Sequence, residues 1–581
     1  MDNTEKTSAK TETDGLQKLF SVISSHPYLC VFAVCLILTP LFFGSIWMMP
    51  AYTVPVILAV YIFAAAVLIW NKCSKLRLPA VSAVLFIAAA SAALAVGAWM
   101  FSRSSYQILW IFLAGCLTLS LLYGRFYKPK LKRQFNSAFI MGLSFLLKFC
   151  YVLGTASWNR QHDIGSFDTE ELSGGHLGYI AYLYKNHSLY QEDYREIFQF
   201  CHPPLHHSIC AVWVTVWKDV FHVSQEKAVE SLMMLPLFYS MCILISAYYI
   251  LRHFRPEGRA LYIPLILIAF HPCFTFLSAL LNNDALMWAL VTGAVLATLR
   301  WYDSPSLKGI MKISLCVGLG MMAKLSAALV APPIALVFLT VFIRDFRKSW
   351  KKLLGQFISF GAVCVPLGMW FPVRGFIRWK VPLNYVQELP ESLEQNIRGI
   401  PFIQRITDFG PVQFKRVFIN WLQYDENGQA MNFNETNPLI TILKNSVFSE
   451  FISESDFEGT QYMLPLCTVF FWLGVILAAA AFIAMIATFI ADRSMNRTQK
   501  LFIGSFYALL VGNLYLMSAN YPMVCTMNFR YLMPTVITGA LFVGMCIKKH
   551  GSKTAGTVSA VPIVGFSALS ALVYLVTSQN S

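Results

Sequence analysis

The stretch YMLPLCTVFFWLGVILAAAAFIAMIATFI, Tyr462 to Ile490, contains no charged side chain and no alternation of polar with apolar residues. Rising about 1.5 Å per residue as an α-helix, it is more than long enough to cross the roughly 30 Å of hydrocarbon in a bilayer. Inside hydrocarbon every backbone N–H and C=O needs an internal partner, which leaves helices or closed barrels. An unbroken apolar run excludes the alternating barrel strand, so this stretch reads as a membrane helix.

Similar runs recur along almost the whole chain. The 581 residues are 57% hydrophobic and only 13% charged, with a mean hydropathy of +0.57. That is too little polar surface to cover a soluble globule of this size. The expected fold is an all-α polytopic membrane protein, a helical bundle of about 15 spans with external juxtamembrane helices. Fourteen cysteines are scattered singly through apolar segments with no C-x-x-C, as small core residues rather than a disulfide framework.

The net charge of +15 does not point to nucleic acid, because the basic residues cluster in short loops between apolar runs. These loops are Lys72–Lys75–Arg77, 124–133, 252–259, 344–352, 492–500 and 548–553. By the positive-inside rule they face the cytoplasm. Spans are then expected at 27–48, 53–70, 79–101, 106–123 and 136–155, near 230–251, 260–281, 284–301, 309–325, 327–343 and 354–371, and near 462–490, 500–518, 528–547 and 558–577. Segment 156–202 holds seven acids against three Lys/Arg, and 372–460 eleven against eight, so both read as external. Keeping the loop at 252–259 inside requires the helix at 204–221 to lie at the outer face without crossing. The organisation this predicts is a disordered cytoplasmic tail (1–25), a four-helix membrane extension (26–134) and a membrane core (135–581) carrying the two external loops. The chain is an integral, multi-pass protein, of the plasma membrane if bacterial.

Ionisable groups near span ends are expensive in lipid unless they face protein or water, which makes each a functional candidate. Asp163, beside His162, lies just beyond the 136–155 span, ahead of the acidic residues Asp168, Glu170 and Glu171 and an amphipathic GHLGYIAYLYKN suited to an interfacial helix. In QFCHPPLHHSICAVW (199–213), Pro203 and Pro204 suit the first turn of a helix, with His202 as a possible cap. Helical i, i+4 spacing would put His202 and His206 on one face, so a divalent metal is possible, but no third ligand is fixed by spacing and interfacial histidines binding phosphate or sugar hydroxyls are the favoured reading. Asn283 or Asp284 caps the span beginning at Ala285. Lys324, Lys148 and the pair Arg530–Tyr531 complete the set, each open to simple snorkelling. Carboxylates and cations bordering one external cavity suit a phosphate-bearing lipid, the cations holding its headgroup.

The order of QHDIGSF, HPPL, NDALM, GMMAKLSAAL and RYLMP along the chain resembles the C-type (GT-C) membrane glycosyltransferases, in particular the protein O-mannosyltransferases and aminoarabinose–lipid A transferases. The resemblance covers about residues 136–578. It implies a sugar taken from a polyprenyl-phosphate carrier at the extracytoplasmic face and passed, with inversion, to a protein, lipid or glycan acceptor, with membrane lipids as the surroundings and no cofactor required. Carried over by position, it makes Asp163 the general base and Asp284 a second active-site carboxylate. Lys324 and Arg530 become phosphate contacts and His202 sits at the cavity rim; His162, His206 and Tyr531 are further candidate substrate contacts. The family usually follows its first acid with Glu; Ile164 stands here, leaving Glu170 or Glu171 as substitutes. A transporter or lipid flippase, or a non-catalytic lipid-binding relative, are the other classes such a chain allows.

Overall fold

The computed structural model describes residues 3–44, 107–387, 389, 395–414, 416–419, 423–424, 430–431, 435–550 and 553–578. The expected spans at 53–70 and 79–101 and the basic loop Lys72–Arg77 lie outside the described residues. Two compact units are present, one made of Met1–Ala156 with Tyr574–Ser581, the other of Ser157–Val573.

The first unit contains helices Asn3–Ser25, Pro27–Leu38, Gln107–Phe126 and Lys132–Gly154. Residues 1–25 were expected to be disordered from their polar composition, yet Asn3–Ser25 is helical and Phe20 meets Phe135 edge-on at 5.0 Å. The chain bends by 94° at the join to the next helix, where Pro27 has no N–H to continue the ladder.

Across the described residues of the whole chain, seven helices are long and apolar enough to cross a membrane, or up to nine if each of two bent pairs is one span. Shorter or kinked helices fill most of the other expected spans. Leu307–Ala323 covers 309–325. The spans 327–343 and 354–371 fall on either side of Ser349, whose φ of −145° breaks the long run Ala331–Trp379 inside its basic segment. The single span expected at 260–281 is instead two helices, Arg259–Phe270 and Pro272–Leu277. His271 is extended between them, as a residue preceding proline prefers.

Helix Leu205–Val214 continues into a π-helical turn, Thr215–Val220, and is not among the helices able to cross. Its cap is Pro204, so the prolines precede the helix rather than occupy its first turn. His202 therefore lies outside it, and the i, i+4 argument for a shared His202–His206 face does not apply. The segment GHLGYIAYLYKN does form a helix, Gly175–Asn186, most of it buried and packed against Leu205–Val214. Gly178 admits the loop before its own helix, where a Cβ would stand 2.0 Å from the Ser173 carbonyl oxygen.

The two ends of this unit differ in chemistry. At one end the basic loops meet: His253 Nε2 stands 3.5 Å from Asp303 Oδ2, Lys548 Nζ donates to Phe254 O at 2.8 Å, and Arg344 donates to Tyr302 O at 3.4 Å. At the other end lie the start of Asp284–Asp303, the end of Leu307–Ala323 and most of the candidate residues. The polar segment there adds helix Pro438–Phe448 and a two-residue antiparallel pairing of Gln423–Tyr424 with Ala430–Met431.

Candidate functional site

Asp163 sits in a loop whose backbone is tied to a helix start. Its carbonyl accepts from His176 N at 2.9 Å, and that of Ile164 from Leu177 N at 2.7 Å. Asp163 itself has φ +53°, a left-handed conformation that Asp tolerates better than most residues. The loop turns at Gly165 (φ +64°), pressed so closely on Gly174–Gly175 that a Cβ would lie 1.9 Å from the Gly174 carbonyl oxygen. Only glycine fits both the dihedral and the space. Gln199 Nε2 donates to Asp163 Oδ2 at 2.9 Å, and Gln199 N donates to Gln387 Oε1 at 3.0 Å.

From Asp163 a line of charged groups runs inward. His162 Nε2 is 3.0 Å from Asp163 Oδ2, and its Nδ1 is 2.5 Å from Glu450 Oε1. Arg530 Nη2 reaches the same His162 Nε2 and also donates to Tyr531 OH at 2.8 Å. Arg530 Nε stands 3.8 Å from Asp284 Oδ2, while Lys324 Nζ donates to Asp284 Oδ1 at 2.6 Å. Both cations lie over the Tyr531 ring, Lys324 Nζ at 5.1 Å and Arg530 Cζ at 4.9 Å from its centroid. The line thus reads Asp163, His162, Arg530, Asp284, Lys324, with Glu450 branching from His162.

Local structure aims each of these. Lys324 is extended (φ −158°, ψ 131°) between Leu307–Ala323 and the short helix Leu325–Val330, so its side chain leaves the helix register and turns to Asp284. Of the two expected caps, Asn283 holds the N-cap position without a side-chain capping bond, and Asp284 does not cap. It is the first helical residue, its N–H donates to Asn282 Oδ1 at 3.1 Å, and its carboxylate is spent on Lys324. Asn283 instead donates to Ala323 O at 2.9 Å, joining the two helix ends that carry Asp284 and Lys324. The Arg530 carbonyl accepts from Trp288 Nε1 at 2.7 Å. Asn528 donates to Glu450 Oε2 at 3.0 Å and accepts from Arg530 N at 2.9 Å, locking the cation's backbone to the acid.

Exposure separates the roles. The side chain of Asp163 is 29% exposed and that of Lys324 15%, against 1% for Asp284, 5% for Glu450 and 8% for Arg530. Asp163 is the most accessible member of the line and Asp284 the least. Burial alone would raise the Asp163 carboxyl, but the hydrogen bond from His162 and the charges of His162 and Arg530 hold it down at about 2. Burial and Arg530 push His162 down, and the carboxylates of Glu450 and Asp163 outweigh them, leaving it above the ordinary histidine value.

The other expected residues fall apart from this line. His202 stacks on His176 with ring centroids 5.9 Å apart, and burial, with Lys324 nearby, holds it near 3 and therefore neutral. His206 has no exposed surface; its ring meets Cys210 Sγ at 3.6 Å and the rings of His207 and Tyr239. Glu170 and Glu171 are exposed, and Asp168 accepts from both of their N–H groups in a local turn, so neither supplies the missing second carboxylate. Glu450 stands closest to that part, linked to Asp163 through His162. Nothing near Glu450 in sequence announces it, since it is one of eleven acids in its segment; Asn528, two residues before Arg530, carried a weak signal by proximity.

Residues 206–370 match the family described as dolichyl-phosphate-mannose-protein mannosyltransferase. That segment carries Asp284 and Lys324, and over it the chain is similar to the C-type glycosyltransferases, as the order of its motifs implied. Among solved structures, ArnT from Cupriavidus metallidurans in the apo state is 11% identical with a TM-score of 0.34, covering 76% of each chain. ArnT from the same organism bound to undecaprenyl phosphate is 13% identical with a TM-score of 0.33, over 76% of this chain and 77% of that one. No curated protein matches.

Proposed function

We propose that this chain is a membrane glycosyltransferase that moves a sugar from a polyprenyl-phosphate carrier to a hydroxyl of a protein, lipid or glycan at the extracytoplasmic face. The observation that carries the reading is the pair of cations, Lys324 and Arg530, held on the buried Asp284 beside the partly exposed Asp163. Their place at the end opposite the basic loops supports the outward orientation. The match of residues 206–370 to a mannosyltransferase family supports the reaction class.

In this reading Lys324 receives the phosphate of the donor with Arg530 poised beside it, and Tyr531 holds both cations over its ring. Asp163 accepts the proton of the acceptor hydroxyl as that oxygen attacks the anomeric carbon from the side opposite the phosphate, which inverts the centre. The sugar–phosphate bond breaks with its electron pair passing to the phosphate oxygen, where the cations stabilise the growing charge. Asp284 positions them, and His202, neutral and half-buried at the edge of the cluster, shapes the cavity without adding charge. The segment 135–581 forms the catalytic membrane core and 26–134 an added membrane module.

The test is reconstitution into proteoliposomes with a panel of polyprenyl-phosphate sugars, following release of polyprenyl phosphate. Wild-type protein should release it from at least one donor when an acceptor extract is supplied, and Asp163→Asn should not. Equal release by the two would sink the assignment of the base, and no release from any donor would sink the reaction class.

A further inference from the structure

His162 Nε2 is shared by two groups that make opposite demands on it. Asp163 Oδ2, at 3.0 Å, can only accept a hydrogen bond, and Arg530 Nη2 can only donate one. A ring nitrogen carries either a proton or a lone pair, so Nε2 serves one of these partners at a time. Nδ1 has no such conflict, because Glu450 Oε1 at 2.5 Å accepts from it whichever partner Nε2 serves. Glu450 is fixed in turn by Asn528. His162 thus has two arrangements, differing by one proton at one atom. In the first, Nε2 is bare, accepts from Arg530 and leaves Asp163 free. In the second, Nε2 is protonated, donates to Asp163 and lets go of Arg530.

Resting on the transferase reading above, we propose that His162 is a relay that couples deprotonation of the acceptor to release of Arg530 onto the departing phosphate, with Glu450 as its positioning residue. The acceptor's proton passes to Asp163 Oδ2 and on to His162 Nε2. The acceptor oxygen bonds to the anomeric carbon, and the bond from that carbon to the phosphate oxygen breaks with its pair on the phosphate. Once Nε2 is protonated, Arg530 Nη2 loses its acceptor there and turns its hydrogen bond to the phosphate that has just gained charge. The proton leaves His162 for water when the polyprenyl phosphate departs, which restores the first arrangement. A cation that would otherwise favour bound donor and product alike is thereby timed to the bond-breaking step.

The charged and titratable groups facing His162 are Asp163 from its own loop, Glu450 from the loop after Pro438–Phe448, and Arg530 from the short helix Phe529–Tyr531, with Tyr531 and Cys525 around Arg530. Linkage then requires that binding the phosphate product be accompanied by proton uptake at His162.

The experiment is calorimetric titration of the full-length protein in detergent with polyprenyl monophosphate, in pairs of buffers of different ionisation enthalpy, between about pH 6 and 9, a range set by the ordinary histidine value. After the uptake due to the phosphate's own titration, shared by all variants, wild-type protein should take up as much as about one further proton at its maximum. His162→Gln should bind without that extra uptake, and Glu450→Gln should move the maximum to lower pH, because removing the acid weakens proton binding at His162. Identical proton counts in wild-type and His162→Gln protein, or an unmoved maximum in Glu450→Gln, would overturn the relay while leaving the transferase reading intact. Failure of wild-type protein to bind polyprenyl phosphate at all would overturn both. If His162→Gln does not fold, the Glu450→Gln shift decides alone.

Discussion

Lys324 Nζ and Asp284 Oδ1 are 2.6 Å apart, and the aspartate is 1% exposed. A carboxylate this deep is tolerable only with its cations in place, and removing one partner of such a pair strands a charge. Replacing Lys324 by Met should therefore destabilise the protein by about 3–5 kcal/mol. The double variant Lys324→Met, Asp284→Asn should recover much of that loss. A double-mutant cycle on thermal unfolding in detergent measures the coupling, and strictly additive effects would remove the pair from the account.

The titration of Asp163 gives a second expectation. Its carboxyl is held at about 2, below the ordinary 3.8. A depressed carboxyl contributes stability above its unfolded value and loses it as pH falls towards the folded one. Wild-type and Asp163→Asn unfolding temperatures should then differ near neutral pH and converge as pH drops from about 4 to 2. His162, raised by its carboxylates, has the opposite sign: its contribution is present in acid and fades as pH rises through its folded value. A gap between wild-type and Asp163→Asn protein that stayed constant down to pH about 2 would contradict the assignment.

Gly165→Ala should uncouple the loop from its anchor. The left-handed φ costs about 1 kcal/mol or more for any side chain, and the 1.9 Å contact forces the loop off Gly174–Gly175 besides. The variant should insert and fold, since no membrane-crossing helix is touched, but sugar release should fall by about tenfold or more through misplacement of Asp163. Activity normalised to folded protein is the readout, and near-normal turnover would show that the loop adapts.

Topology is tested by labelling. His222 and Lys549 are both exposed and are expected on opposite sides of the membrane. In intact cells a membrane-impermeant thiol reagent should modify His222→Cys, and Lys549→Cys only after permeabilisation, each scored against the wild-type protein's own cysteines. Reversed labelling would turn the orientation over.

The sequence was informative where one residue type has one physical use. Long apolar runs read as helices, the basic loops gather at one end as their sign demanded, and Lys324 and Asp284, both conspicuous in apolar surroundings, turn out to be partners. It misled where proline acts locally: Pro272 cuts an expected span in two, and Pro204 starts the helix one step later than the motif suggested. His206, prominent in the pattern, is packed away from solvent. Glu450 went unnoticed because an acid in a polar segment has no distinguishing neighbours, and its value lies wholly in a contact with His162.

That contact spans 288 residues, and the one from His162 to Arg530 spans 368. The order of synthesis therefore matters to this site. While the chain is being made, the loop carrying His162 and Asp163 emerges early and waits, its charges solvated and unmatched, through the insertion of helix after helix. Only when residue 530 has been made can the last cation reach the histidine. Under the proposed reaction, a chain truncated before residue 530 should be inert rather than partly active, because Asp163 would lack the cation that makes it useful.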